Sequence, residues 1–257
     1  MNRMYHISNQ IIMKRNILFL FCLTILLSNN GFSQSKTEVN KEFTEVSFID
    51  ISTVSGNCTI KRGDGKQVEV MLVSDYRPAK NFEPVFSQEG DVLLLKEKMN
   101  GSNSGYSEWT ITVPQQTSIK FKSASGSISI DNITGKMTIN TASGNINMNG
   151  IIISDNSEFT SASGNVTIVF KESPKFNVYV SSASGNATLD FNHNPVIGNF
   201  EMRARVKLGK IVCPFKFDEE KEMDLQNQKY IVKKVMVKDR SPEIRICTAS
   251  GKAELKK

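Results

Sequence analysis

Ser161-Ala-Ser-Gly-Asn-Val-Thr-Ile-Val-Phe170 is the stretch on which the fold turns, because the chain writes it several times. Closely similar words begin at Ser123 (SASGSISI), Thr141 (TASGNINM), Ser182 (SASGNATL) and Thr248 (TASGKAEL). A more diverged one, TVSGNCTI, begins at Thr53. With the glycine of each copy as origin (Gly56, Gly126, Gly144, Gly164, Gly185, Gly251), the second residue after it is Cys58, Ile128, Ile146, Val166, Ala187 or Ala253. The fourth is Ile60, Ile130, Met148, Ile168, Leu189 or Leu255. Polar residues fill the positions between, so the period is two, the mark of a strand with one buried face.

Five residues before each glycine stand Ile51, Phe121, Ile139, Phe159, Val180 and Ile246. They are apolar too, but their parity relative to the second half of the word is reversed, which requires a bend between the two halves. Each copy therefore reads as strand, corner, strand. The second residue before the glycine (Val54, Ala124, Ala142, Ala162, Ala183, Ala249) is small and apolar, and we expect these alanines to stack inside the molecule with Gly126, Gly144, Gly164, Gly185 and Gly251 as the repeat core. A further copy surrounds Gly135, where Ile130, Ile133, Met137 and Ile139 fill the same apolar slots. The glycines Gly126, Gly135 and Gly144 are nine residues apart, and the later intervals are 20 and 21. One coil is thus about 18–21 residues.

A unit of this size cannot bury its own apolar face, but stacked copies can. The expected fold is all-β: a single-stranded β-helix, or β-solenoid, with strands about 4.8 Å apart and a right-handed path. An antiparallel meander also explains period two, but not the like-for-like glycine register. Residues 35–118 form an N-terminal β segment with longer strands (QVEVMLV, DVLLLKEKM, EWTITVP). Residues 119–257 form the repeat β-helix, interrupted by an irregular insertion at 192–243, and the last copy is expected to close the stack.

Residues 1–34 read as a secretory signal peptide. From Met13, MKRNILFLFCLTILLSNNGFSQ has a basic start, a short apolar run and small residues before its end. Met13 is the expected true start. Removing residues 1–34 takes Arg3, Lys14 and Arg15 from 32 basic residues set against 26 acidic ones, so the net charge falls from +6 to +3. That excess is unclustered and gives no reason to expect a nucleic-acid partner. No later run is long and apolar enough for a transmembrane helix.

Three cysteines follow the signal: Cys58, Cys213 and Cys247. Cys58 falls in an inward slot and is expected to be a reduced core residue. Cys247 falls in the corner and Cys213 in the insertion, so a Cys213–Cys247 disulfide and three free thiols are both open. One histidine, His193, remains, too few ligands for a Cys/His zinc site. The acids within the solenoid (Asp131, Asp155, Glu158, Glu172, Asp190) share no repeat slot, as a paired-carboxylate glycosidase would require. No catalytic, cofactor-binding or metal-binding residue is assigned. The first expectation is a non-enzymatic binding or scaffold module, with a surface glycan or an envelope protein as partner. The alternative is a carbohydrate-active β-helix enzyme. An ice-facing surface requires uniform outward ranks, and Ser127/Ser129 and Asn145/Asn147 break them.

The [Ser/Thr]-Ala-Ser-Gly words, the early TVSGNCTI, the WTITVP segment and the closing TASGKAEL resemble the DUF4097 family of proposed adhesins with β-strand repeats. They are also similar to autotransporter-adhesin head-domain-like β-helical proteins of Bacteroidetes. The resemblance spans about Glu45 to Leu255. It implies a β-helical fold and an exported protein at the periplasm, the outer-membrane surface or the extracellular space, and it brings no catalytic residues.

Overall fold

The computed structural model describes residues 36–225 and 227–257. The signal-peptide reading falls on residues outside these. Beginning at the N-terminus, the strands are β1 (Thr37–Phe43), β2 (Phe48–Thr53), β3 (Asn57–Arg62), β4 (Val68–Arg77), β5 (Phe82–Glu89), β6 (Val92–Met99) and β7 (Ser104–Val113). Through the repeat they are β8 (Ser118–Ser123), β9 (Ile128–Asp131), β10 (Thr134–Gly135), β11 (Met137–Thr141), β12 (Ile146–Ile153), β13 (Ser157–Ser161), β14 (Val166–Phe170), β15 (Val178–Ser182) and β16 (Ala187–Asp190). The remainder are β17 (Gly198–Arg205), β18 (Lys210–Val212), β19 (Glu219–Leu225), β20 (Gln228–Val237), β21 (Glu243–Thr248) and β22 (Lys252–Lys256).

These strands form two facing sheets, a β-solenoid in which each repeat word supplies one strand to each. Sheet I runs β1-β4-β7-β3-β9-β12-β14-β16-β22-β18, and sheet II runs β19-β20-β17-β21-β15-β13-β11-β8-β2-β6-β5. Within the repeat all pairings are parallel and like stacks on like. On sheet II one inward column is Leu95, Ile51, Phe121, Ile139, Phe159, Val180, Ile246 and Met202, all fully buried. On sheet I the matching column is Trp109, Cys58, Ile128, Ile146, Val166, Ala187, Ala253 and Ile211. Each buried Ile, Val or Leu contributes roughly 1.5–3 kcal/mol, so a coil with several offsets its ordering cost only within the stack.

The corner differs from expectation in one respect. Ala124, Ala142, Ala162 and Ala183 are exposed and Ala249 is half-exposed. The inward place belongs to the hydroxyl residue three before each glycine: Thr53, Thr141, Ser161, Ser182 and Thr248 are buried, and Ser123 holds the same position. The reason is hydrogen bonding. Thr141 Oγ1 accepts from the Gly144 N–H at 3.0 Å and donates to the Gly126 carbonyl of the preceding coil at 3.0 Å. Ser161 repeats this with Gly164 and Gly144, at 2.8 Å each, and Ser182 and Thr248 donate to Gly164 and Gly185. An alanine methyl in that place would leave the carbonyls without donors. The glycines lie directly against one another: a β-carbon on Gly126, Gly144, Gly164, Gly185 or Gly251 would overlap the carbonyl of the glycine one coil before.

Neither end of the stack follows chain order. The coil β6–β7 stacks outside β2–β3, and β17–β18 stacks outside β21–β22. The last repeat copy is therefore enclosed by the insertion rather than closing the solenoid. Antiparallel β4 and β1, β5, and β20 with β19 finish the sheets. At the N-terminal end Glu97 stands where the hydroxyl column continues past Thr53, and it is only 3% exposed. Its carboxylate accepts from the Val54 N–H (2.7 Å), the Trp109 Nε1–H (2.8 Å) and the Ser107 hydroxyl.

Two predictions follow from the corner and its terminus. Gly164→Ala should destabilise by about 2–3 kcal/mol, because the new methyl overlaps backbone rather than a movable side chain. Ala162→Gln, on the outside, should stay within about 0.5 kcal/mol. Urea unfolding of the pair compares them directly, and equal midpoints would contradict this account. Glu97→Gln places an amide donor among donors and should cost about 2–4 kcal/mol. The lone Trp109 reports it, with a changed emission maximum expected in the folded variant.

Candidate groove on sheet II

The outward positions of β11, β13, β15 and β21 line a shallow groove of about 420 Å³ along the solenoid axis. Parallel register puts Thr138, Glu158, Tyr179 and Arg245 in one row. A second row, at the entry to the strands, holds Lys136, Asn156, Asn177 and Glu243. Four strands at about 4.8 Å spacing give a track about 14 Å long.

The two asparagines are held by the backbone of the next coil. Asn156 Oδ1 accepts from the Asn177 N–H at 3.1 Å, and Asn177 Oδ1 from the Glu243 N–H at 2.8 Å. Their acceptor oxygens are thereby used, and the Nδ2 groups remain as donors at successive steps. Lys136 pairs with Asp155 at 3.0 Å, and this hydrogen bond holds the Asp155 carboxyl below its ordinary range. Arg245 lies 3.8 Å from both Glu243 and Glu201. Glu201 also meets Arg203 at 2.5 Å and Lys234 at 3.6 Å, so charge alternates along the row beyond the groove. Burial is the main cause that raises the Tyr179 phenol, which keeps it a neutral donor with an apolar ring between Glu158 and Arg245.

The acids considered from the sequence are dispersed. Asp155 and Glu158 flank this groove, Asp131 and Asp190 lie on sheet I, and Asp190 accepts from the Asn192 N–H. Ser157 Oγ donates to the Asp155 carbonyl and accepts from the Met137 N–H, so it holds the corner before β13. Sheet I carries a ladder of its own: Asn57, Asn145, Asn165 and Asn186 each accept from the backbone N–H one coil on, at 2.8–2.9 Å. These ranks bind coil to coil. Tyr179 and Glu201 carry no sequence signal because the residue type in their outward row on sheet II changes from coil to coil.

Cys213 and Cys247 are free, as is Cys58. Cys247 sits on sheet II between Ser181 and Arg203, whereas Cys213 follows β18 of sheet I and packs on the core. Of the two arrangements left open by the sequence, the structure has the three free thiols, with Cys213 and Cys247 on opposite sheets. Burial raises all three thiols, that of Cys247 to about 11.

Residues 102–205 match the model of the Toastrack DUF4097 family. Over that span the resemblance carried by the repeat is a family match, from the loop before β7 to the end of β17. Among solved structures the chain is similar to a proposed cell adhesion protein from Clostridium sporogenes, at 14% identity and TM-score 0.42, over 86% of this chain and 99% of that one. It is also similar to proposed adhesins from Bacteroides fragilis (12%, TM-score 0.37, 88% and 99%) and Parabacteroides distasonis (11%, TM-score 0.35, 86% and 96%). No curated protein matches the chain.

The thiols give a direct chemical test. A raised pKa keeps the unreactive thiol form through neutral pH, so iodoacetamide at pH 8 should label the native protein slowly. Labelling of Cys247 should accelerate as pH approaches 11. Unfolding without reductant should expose all three cysteines to label, and mass spectrometry showing Cys58 labelled alone would restore the bridge.

Proposed function

We propose that the chain is an exported, non-enzymatic binding module of the cell envelope, adhesin-like in role, which holds an extended glycan along the sheet II groove. The observation that carries this is the pair of Nδ2 donors at Asn156 and Asn177, one coil apart and oriented by their Oδ1 bonds to the next coil, beside the single Tyr179 ring and with charges of both signs at the rims. Regular donors beside an aromatic ring suit a chain of hydroxyl-bearing rings. The track accommodates about three residues of such a chain.

Export is supported by the reading of residues 13–34. Among the described residues no helix is long and apolar enough to cross a membrane. The non-enzymatic part rests on the scattered acids, of which Asp155 is engaged by Lys136 and Asp190 by a backbone amide.

A glycan array with the mature protein tests the reading. Binding to one or more linear glycans is expected, and both Tyr179→Ala and Asn177→Ala should weaken it at least tenfold, about 1.4 kcal/mol. Tyr179 is half-buried, so Tyr179→Ala should lower the melting temperature modestly, and binding is compared at a temperature where circular dichroism shows both variants folded. Undiminished binding in both variants would move the site elsewhere, and reducing ends released from any glycan would overturn the non-enzymatic assignment. Protease accessibility on intact cells distinguishes a surface location from a periplasmic one.

A further inference from the structure

A second groove, of about 480 Å³, lies where the ends of β16, β18 and β22 meet the start of β17 and the end of β20. Its lining is chemically unlike that of the sheet II groove. Val196, Phe215 and Val237 make an apolar floor, and His193, Lys238 and Lys257 stand around it, with Asn194 between. No acidic side chain lines it. The neighbouring Asp190 and Asp239 are turned to the backbone amides of Asn192 and Arg240. The Lys257 ammonium lies 5.6 Å from the centre of the Phe215 ring, and Lys238 makes no ion pair among the described residues.

The walls are held in place. The Asn194 side-chain amide donates to the carbonyls of Phe191, Lys171 and Phe170 at 2.7, 3.2 and 3.4 Å. Phe191 is fully buried, edge-on to Phe170 at 5.3 Å and tilted against Phe200 at 6.0 Å. Between these anchors Asn192 and His193 both adopt left-handed backbone, with φ of 48° and 64°, and Lys238 across the groove does so at 64°. Such conformations cost free energy in residues other than glycine and gather where a site is preorganised. An open groove with an apolar floor and cationic side chains at its rim offers separate places for the tail and the head of an amphiphile.

We propose that this groove binds a monomeric amphipathic anion, its tail on Val196, Phe215 and Val237 and its carboxylate between Lys238 and Lys257. The proposal is independent of the glycan reading, since the two grooves share no residue. Titration calorimetry with sodium decanoate below its micelle concentration tests it. Saturable one-site binding is expected, with decyltrimethylammonium at least tenfold weaker and acetate, the head without the tail, not detected. The double variant Lys238→Glu/Lys257→Glu changes exposed side chains only. It should keep its melting temperature and lose at least tenfold in decanoate affinity, and Phe215→Asn should lose as much. Equal affinity for the cationic amphiphile, or unchanged affinity in the double variant, would overturn the proposal. So would binding to phosphatidylglycerol vesicles without binding of monomeric decanoate, because the apolar floor would then have no occupant.

Discussion

The solenoid rests on the contact between each corner glycine and the carbonyl of the glycine one coil before it. Two backbones can approach this closely only where neither carries a β-carbon. The column from Gly56 through Gly126, Gly144, Gly164 and Gly185 to Gly251 meets that condition at every step. Register along the whole stack follows from it. Once the glycines are aligned, the apolar residues five before and two and four after have no alternative but to stack in kind. A slip of one residue would place a side chain against a carbonyl as well as reverse the faces of both strands. The hydroxyl column completes the corner: at Thr141 and Ser161 one side chain satisfies both an amide of its own coil and a carbonyl of the last.

The same constraint explains how the stack ends. A glycine column that simply stopped would expose an edge ready to pair with another chain. At the N-terminal end the column passes from Gly56 to Ser107 and the hydroxyl column from Thr53 to Glu97. A longer acceptor thus gathers the Val54, Ser107 and Trp109 donors that no further coil would meet. At the other end the columns run out at Gly209 and Ala204. Beyond them sheet II turns antiparallel through β20 and β19, whose Glu219, Glu220 and Glu222 make a charged edge.

How much of this was legible in the sequence depends on which face a residue occupies. Inward apolar residues repeat with the coil, so the strands, the coil length and the solenoid could be read directly. The alanines misled because a methyl is apolar wherever it stands, and hydropathy cannot distinguish a buried alanine from one exposed on a corner. The buried serines and threonines misled in the opposite sense: their burial depends on partners one coil away, about 20 residues off in sequence. Glu97, within Lys-Glu-Lys, reads as a solvated strand face until Trp109 and Val54 are brought to it. The enclosed position of the last copy has no local signal either, because it is decided by the pairing of β17 with β21 rather than by either strand alone.

Function separates from fold along the same line. The inward columns and the corner are constrained at every coil, so they carry no recognition. The outward asparagines of sheet I each close a bond to the next coil through Oδ1, as Asn156 and Asn177 do on sheet II, which fixes their position in the stack. On sheet II the row through Thr138, Glu158, Tyr179 and Arg245 has no such duty to the corner, and there the residue type changes at every step. A groove whose walls are periodic but whose chemistry is not can hold an extended ligand in one register. In the glycan-binding role proposed above, the repeat would supply the spacing and the departures from the repeat the selectivity.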